Sequence, residues 1–564
     1  MTKFFNGIFR LIYFLWARPN LILRRANFLE LDISGDLPEQ KTRTNLLQRF
    51  FAKPITSFSE LIFALKEAEL DQRIKGCLVR IGDSSLGWGR ACELREAFHQ
   101  FREKGKKAIA YLKESGNLEY FIATACDEIV LCPSQSLNLV GLLTEVIYFK
   151  GALDKLEIKA ELLQAGRYKS AVEPYIRDSM SEEHRESLNA ILDEVLEELL
   201  RAISQSRNLP KEKARELIDQ APFLPEEAKA LGLIDRIFYP DQMEEYIEGL
   251  LGEPIRKINA EHYYHLRLLG QGAFDGFRRL PRLALVYGTG VIREEDEYDY
   301  DDFGEEITSE KMVRGLREIR ENPRVKAVVV RLDSPGGSAI ASDLIWREMS
   351  LLRKEKPLMV SMADVSASGG YYIAMAGERI LAEPISLTGS IGVIAGKLNL
   401  SGLYHKVGIK KEQVKRGESA DLFSDYTSLS GAKQDKVRKE LEYFYQDFVK
   451  KASEQRKMSF EELEQRAQGR VWTGNQALKL GLIDELGGLR KAVELAKQAI
   501  GLKPEDKVRM EIYPKARRRL LPMFPFRIPI FPFFKNQELK WLNQFQKLSK
   551  KRILFFIPFL IRIK

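Results

Sequence analysis

Two glycine-bearing turns hold the residues whose types and spacing could do chemistry. Asp333-Ser-Pro-Gly-Gly-Ser338 directly follows the apolar run Ala327 to Leu332, and its glycines free backbone N–H groups to point at an anion. Asp364-Val-Ser-Ala-Ser-Gly-Gly-Tyr371 follows a second apolar run, Leu358 to Met362, and leads into a helical pattern. A serine at such a strand-to-helix turn stands where a nucleophile would, although Ser366 or Ser368 could equally cap the helix. A serine nucleophile needs a base. The histidines are His99, His184, His262, His265 and His405, none in a segment corresponding to either turn, so a Ser-His-Asp triad is not expected. A lysine neutralised by burial in a partly apolar cleft can serve instead.

These turns need elements to position them. Ala327 to Leu332 is short and continuously apolar, as a buried parallel strand is, with helical patterns at Glu310 to Glu321 before it and Ala341 to Leu352 after it. The same order occurs earlier in the chain. A shift of 251 lays Arg73-Ile-Lys-Gly-Cys-Leu-Val-Arg80 on Arg324-Val-Lys-Ala-Val-Val-Val-Arg331, and Tyr120 to Pro133 on Tyr371 to Pro384. A shift of 249 lays Leu231-Gly-Leu-Ile-Asp235 on Leu480-Gly-Leu-Ile-Asp484. The period is far too long for a solenoid, so the chain reads as two homologous α/β units, each continuing into a long amphipathic helix, Glu182 to Arg207 and Ala432 to Arg456.

With 564 residues, 45% hydrophobic and 30% charged, the chain has material for at least two folded cores, which excludes pervasive disorder. No stretch reaches the ~18 consecutive apolar residues of a spanning helix, which excludes a polytopic membrane protein. The formal charge of +9 divides unevenly: residues 515–564 carry +12, residues 1–25 carry +5 and the body between them carries −8. A nucleic-acid enzyme would hold its basic surface on the folded body, whereas basic ends laced with Phe, Ile and Leu suit an anionic membrane surface. Cys77, Cys92, Cys126 and Cys132 lack the paired CxxC spacing of metal sites and read as ordinary thiols. Residues 256–281, with Gly270, Gly272 and Gly276 but no completed GxGxxG, read as a linker. The run Glu294 to Glu306, nine carboxylates in thirteen residues, lacks the ligand spacing and central glycine of a calcium loop and reads as a solvated loop.

Together with Gly166-Arg-Tyr-Lys-Ser-Ala-Val-Glu-Pro174 and Leu387-Thr-Gly-Ser-Ile-Gly392, the two turns form an ordered set that resembles the signal peptide peptidase A (protease IV) family in its long two-repeat form. The resemblance runs from about residue 26 to 500. It implies two tandem α/β domains of the Clp-protease/crotonase-like fold and a membrane-associated serine endopeptidase with a Ser-Lys dyad and no metal or cofactor. Carried over residue by residue, it makes Ser368 the nucleophile and Lys169 the general base. It makes Ser390 the residue that orients the lysine amine, and the N–H groups of Gly337 and Gly369 the oxyanion hole. It further implies peptide substrates such as cleaved signal peptides, a preference for apolar segments, a homotetramer, no nucleic-acid partner, and a bacterial-type inner membrane with the side left open.

The repeat arithmetic agrees with that division of labour. Lys169 plus 249 lands on Glu418, with only Lys415 nearby, and Ser368 minus 251 lands on Asn117, so each copy keeps one half of the dyad and a working site must join both. The first copy's counterpart of the double-glycine loop, Gly82-Asp-Ser-Ser-Leu-Gly-Trp-Gly89, has no matching Gly-Gly and is expected to act as scaffold. An acyl-CoA enzyme of the crotonase type, or an inactive membrane scaffold, would not explain why the lysine and serine survive in opposite copies.

The expected organisation is an interfacial or membrane-anchor segment (1–25), an N-terminal repeat with the lysine (26–255), the linker (256–281), a C-terminal repeat with the serine (282–514) and a basic-aromatic membrane-associating tail (515–564). Phe5, Ile8, Phe9, Ile12, Leu15 and Trp16 share one helical face before Pro19, as in an interfacial helix, and no small-residue cleavage site follows. Prolines at 522, 525, 529 and 532 interrupt any spanning helix in the tail.

Overall fold

The computed structural model describes residues 25–40, 57–275, 280–294, 306–514 and 553–556. The expected segment at 1–25, most of the acidic run and most of the tail lie outside the described residues. In the first unit, β1 (Phe28–Gly35), β2 (Gly76–Ser84), β3 (Lys107–Leu112), β4 (Glu128–Leu131), β6 (Arg236–Ile237) and β7 (Lys257–Asn259) form one parallel sheet in the order β6-β4-β3-β2-β1-β7. Helices α1 (Phe58–Glu69), α2 (Trp88–Glu103) and α3 (Asn117–Ala123) connect its strands. Burial on both faces is why β2 and β3 read as near-continuous apolar runs.

The second unit repeats the plan. Strands β8 (Arg282–Thr289), β11 (Val325–Ser334) and β13 (Leu358–Ala367) run parallel, with α7 (Ser309–Glu321) and α8 (Ala339–Arg353) between them and α9 (Gly369–Ala374) following β13. Strands β14 (Arg379–Ala382), β15 (Leu387–Gly389), β17 (Val471–Thr473), β18 (Glu485–Leu486) and β19 (Arg509–Tyr513) complete an eight-stranded sheet. Strands β11 and β13 extend beyond the apolar runs visible in the sequence, because Asp333-Ser334 and Ala363 to Ala367 continue the ladder up to the glycine turns. The long helices α5 (Glu182–Arg207) and α11 (Ala432–Arg456) follow in the two units.

The stretch read as a linker is part of the first unit. Strand β7 pairs with β1, and the following helix α6 (Ala260–Asp275) buries Tyr263 and Leu266 in the first core. Gly270 and Gly272 occupy this helix, which is why no strand-turn pattern surrounded them, and Gly276 lies outside the described residues.

The two units are interlocked. The first core takes in Ala367, Ile385 and Val471 of the second unit, and the second core takes in Ala165 of the first. Arg331 of β11, fully buried, reaches Glu93 of α2 at 2.7 Å and Glu39 at 3.0 Å. A buried ion pair of this kind is costly to break, since removing one partner strands the other's charge.

A third, smaller sheet crosses between the units. It contains β9 (Val291–Arg293), β10 (Glu306–Thr308), β12 (Gly336–Ser338), β16 (Val393–Asn399), β5 (Lys159–Ala165) and β20 (Ile553–Phe556), in the order β10-β9-β12-β20-β16-β5. Strands β5 and β16 come from different units and pair antiparallel from Ala165–Val393 to Lys159–Asn399.

Candidate active site

Strand β13 ends at Ala367, and the chain turns sharply at Ser368 into α9. Ser368 has φ 57 and ψ −114, a conformation that costs a non-glycine residue about 1–3 kcal/mol and persists only where the surroundings impose it. They do so here: the Ser368 N–H donates to Gly389 O at 2.8 Å, and Ser368 O accepts from the Tyr372 N–H at 2.8 Å. Ser368 occupies the cap position of α9, yet its side chain makes no capping bond, so the capping alternative does not describe it. Its Oγ is hydrogen-bonded to Lys169 Nζ at 2.7 Å.

Lys169 arrives from the other unit because β5 pairs with β16. The pairing carries the chain from Ala165 through Gly166 to Lys169, and the Tyr168 N–H is held by Gln468 O at 2.7 Å. Gly469 lets the lysine pass: a Cβ there would lie 2.6 Å from Lys169 Cβ. The amine is fully buried and also bonds Ser390 Oγ and Ser390 O, both at 2.8 Å. None of its three partners carries a charge, and burial drives the amine well below the usual lysine range. A neutral amine has two N–H donors and one lone pair, which matches donation to the two Ser390 oxygens and acceptance from the Ser368 hydroxyl. Ser390, at φ 50, is itself held by donation of its N–H to Arg470 O at 2.7 Å.

The two glycine turns pack against each other: a Cβ on Gly369 would sit 3.2 Å from Gly336 Cα. Gly337 is irreplaceable on steric grounds, with φ 155 and Ile292 O only 2.1 Å from where a Cβ would be. Strand β20 lies antiparallel between β12 and β16, with Phe555 opposite Gly337 and Leu554 opposite both Ser338 and Ile394.

Sequence reasoning missed the support beneath the turns. Asp364 accepts from the Gly87 N–H at 2.9 Å, the Arg90 N–H at 2.7 Å and Arg90 Nε at 2.5 Å, so the head of α2 in the first unit grips strand β13, which leads into Ser368. Asp333, which begins the double-glycine loop, accepts from the Val365 N–H at 3.0 Å. Burial, followed by the neighbouring Asp364 carboxylate, pushes Asp333 up to about 7. Gly87 lies in the loop expected to be scaffold, and a Cβ there would come 2.4 Å from Asp364 Cγ. The glycines at 87 and 89 were the available signal.

The counterpart of Lys169 needs one correction. The 251 offset continues past Ile158-Lys159 on Ile409-Lys410 and Gly166 on Gly417, which puts Lys169 on Ala420 and not on Glu418. Neither is a lysine, and Lys415 is exposed beside Asp421, not at the serine. Cys77, Cys92 and Cys126 are buried free thiols and Cys132 is half-buried. Among the described residues, one trio, Glu60, Glu261 and His265, brings metal-type ligand atoms within 4.8 Å of one another. It sits on α1 and α6, away from the two turns.

The profile of peptidase family S49 matches the chain twice, over residues 100–251 and 350–503. The chain belongs to peptidase family S49. The serine protease SPPA, chloroplastic, of Arabidopsis thaliana is 34% identical over 499 residues, covering 88% of this chain and 72% of that protein. Protease 4 of Haemophilus influenzae is 30% identical over 509 residues, covering 86% of this chain and 80% of that protein. Among solved structures, a ClpP1 mutant of Listeria monocytogenes aligns with a TM-score of 0.25 at 15% identity over 37% of this chain. The S49 chain is thus a serine peptidase in its long, duplicated form. No helix among its described residues is long and apolar enough to cross a membrane.

Proposed function

We propose that this S49 peptidase cleaves peptides with a Ser-Lys dyad assembled across its two units. The observation that carries the reading is the 2.7 Å bond between Ser368 Oγ and a buried Lys169 amine whose other partners are uncharged. Neutral Lys169 takes the Ser368 proton as Oγ attacks a peptide carbonyl. Ser390 holds the amine's two N–H groups so that its lone pair faces the serine. The N–H groups of Gly337 and Gly369 receive the tetrahedral oxyanion, a contribution of about 3–4 kcal/mol per donor. The lysine then protonates the leaving amine, the acyl-serine forms, and water releases it by the same route in reverse.

The place that β20 holds supports a reading of the substrate class. An extended peptide laid antiparallel on β12 would take the place that β20 holds, exchanging backbone hydrogen bonds with β12 and β16. The apolar sequence Ile553-Leu-Phe-Phe556 in that place supports a preference for apolar segments, as in cleaved signal peptides or other membrane-released peptides. The basic, aromatic tail and the N-terminal segment would hold the enzyme at an anionic membrane surface, and the assembly is a homotetramer.

The test is covalent labelling with a fluorophosphonate. Stoichiometric modification of Ser368, lost in Ser368→Ala, is the expected result. Absence of labelling in a protein that is folded by circular dichroism would reject the nucleophile assignment.

A further inference from the structure

Strand β5 fixes the chain only as far as Ala165, whereas the lysine stands four residues beyond it and carries its amine on a flexible four-carbon stem. A misplacement of about 1 Å at a reacting group can cost about 10²-fold in rate, so the turn that carries Lys169 has to be held on both sides. Behind the lysine the hold is Glu173, a buried carboxylate at 5% exposure. It accepts from Ser181 Oγ at 2.5 Å and from the Ser181 N–H at 3.1 Å. His184 Nδ1 stands 3.3 Å from the same carboxylate and, facing an acceptor, carries the ring proton. Ser181 is the cap of α5, its Oγ accepting from the His184 N–H at 3.1 Å, and His184 is fully buried. These bonds close the exposed turn 177–179 and tie the lysine turn to a 26-residue helix. The same stretch is held at the start of α4 (Lys150–Lys155), where the Phe149 N–H donates to Pro174 O at 2.6 Å.

The head of α5 also reaches in front of the lysine. Glu186 accepts from the Tyr168 hydroxyl at 2.9 Å and from Arg470 Nη1 at 2.6 Å. The Arg470 guanidinium lies over the Tyr168 ring, 4.9 Å from its centroid, and the Arg470 carbonyl receives the Ser390 N–H. Glu186 thus links the lysine turn to the backbone that holds Ser390, the amine's other partner. The second unit, which has lost the lysine, has lost these grips as well. At the 251 offset that sets Gly166 on Gly417, beyond α10 (Ser401–Lys406), Tyr168 falls on Ser419 and Glu173 on Ser424. Helix α11 starts on Gly431, which has no side chain to cap it.

We propose that the head of α5 positions the general base, with Glu173 holding the lysine turn from behind and Glu186 holding it from in front. The role rests on the Ser-Lys dyad reading. Both carboxylates act through the lysine turn and not on the reacting atoms, so they are positioning residues. With the clamp closed, the lysine stem is directed to Ser368 Oγ and the two Ser390 oxygens. With it open, the turn swings outward, the amine leaves its uncharged surroundings, and the burial that keeps it neutral is lost. Fewer amines are then aligned with the serine, and a higher pH is needed to deprotonate them.

The test is the pH–rate profile of full-chain variants on a soluble peptide. Glu173→Gln keeps the side chain's size but turns one of its two acceptor oxygens into a donor. The rising limb of its kcat/KM should move up by about one pH unit, lowering the rate on that limb about tenfold at unchanged KM. Tyr168→Phe, which removes only the hydroxyl bonded to Glu186 and keeps the ring, should move the limb the same way by less. Ser57→Ala, which removes the cap of α1 away from the dyad, should lower the denaturant midpoint and leave the limb in place. Stability losses in Glu173→Gln and Tyr168→Phe with the wild-type limb retained would overturn the positioning role. If Glu173→Gln does not fold, the limb of Tyr168→Phe decides by the same criterion. Lys169→Met separates this failure from that of the dyad. A methionine variant with wild-type activity rejects the dyad, whereas an inactive one beside unshifted limbs rejects only the role of α5.

Discussion

Replacing Lys169 by methionine isolates the amine, because both side chains are unbranched and the methionine fills the same fully buried slot. The acceptor for the Ser368 proton is then gone. General-base catalysis is worth about 10²–10⁴ in rate, so kcat/KM should fall by that factor, roughly 3–5 kcal/mol of barrier. The same residue leaves a second signature in stability. Burial holds the native amine well below the usual lysine range, whereas in the unfolded chain it titrates near ~10.4. Between those two values the unfolded chain binds one more proton than the native one, so wild-type stability rises with pH across that window. The slope approaches ~1.4 kcal/mol per pH unit. Below the native value both states are protonated and the slope vanishes. The methionine variant lacks this contribution altogether. Urea unfolding of both proteins at a series of alkaline pH values should therefore show the wild type gaining on the variant as pH rises. Peptide hydrolysis by the wild type should increase about tenfold per pH unit until the amine is neutral and then level off. A wild-type rate flat from pH 5 to 9, or a methionine variant that keeps a tenth of the activity, would refute the lysine base.

Ser390→Ala removes one of the amine's two acceptors while Ser390 O remains, so kcat should fall about tenfold, near 1–1.5 kcal/mol, with KM unchanged; a change confined to KM would contradict the orienting role. Asp364→Ala leaves the buried Arg90 guanidinium with only the more distant Glu39 carboxylate, at 4.0 Å, and a loss of about 3–5 kcal/mol in unfolding free energy is expected from denaturant titration; a loss under ~1 kcal/mol would mean the grip between the units is slack. A chain ending at residue 514 vacates the place between β12 and β16, so KM for soluble apolar peptides should drop at constant kcat, and binding to anionic liposomes should weaken in a salt-dependent way. Unchanged KM and unchanged liposome binding would together remove both roles from the tail.

Much of this molecule was legible in the one-dimensional chain, and for identifiable reasons. Buried parallel strands must be apolar along their whole length, so Ala327 to Leu332 and Leu358 to Met362 announced β11 and β13, and helix periodicity marked α5 and α11 to the residue. A duplication preserved as a 251-residue offset is visible without any coordinates, and so is the separation of lysine and serine into opposite copies. What no pattern in the chain could express was the pairing of β5 with β16, since antiparallel partners from different units share no periodicity or spacing. That pairing alone carries Lys169 to within 2.7 Å of Ser368. The strand and helix at 257–275 were hidden because the strand is three residues long and the helix holds two glycines. The grip of Arg90 on Asp364 was hidden for a related reason: residues 274 apart meet only after both sheets have formed and docked, and charge complementarity between distant positions leaves no local trace. Local propensity and burial thus determine the elements from sequence, while the contact between Lys169 and Ser368 is a product of long-range packing, which only the tertiary structure decides.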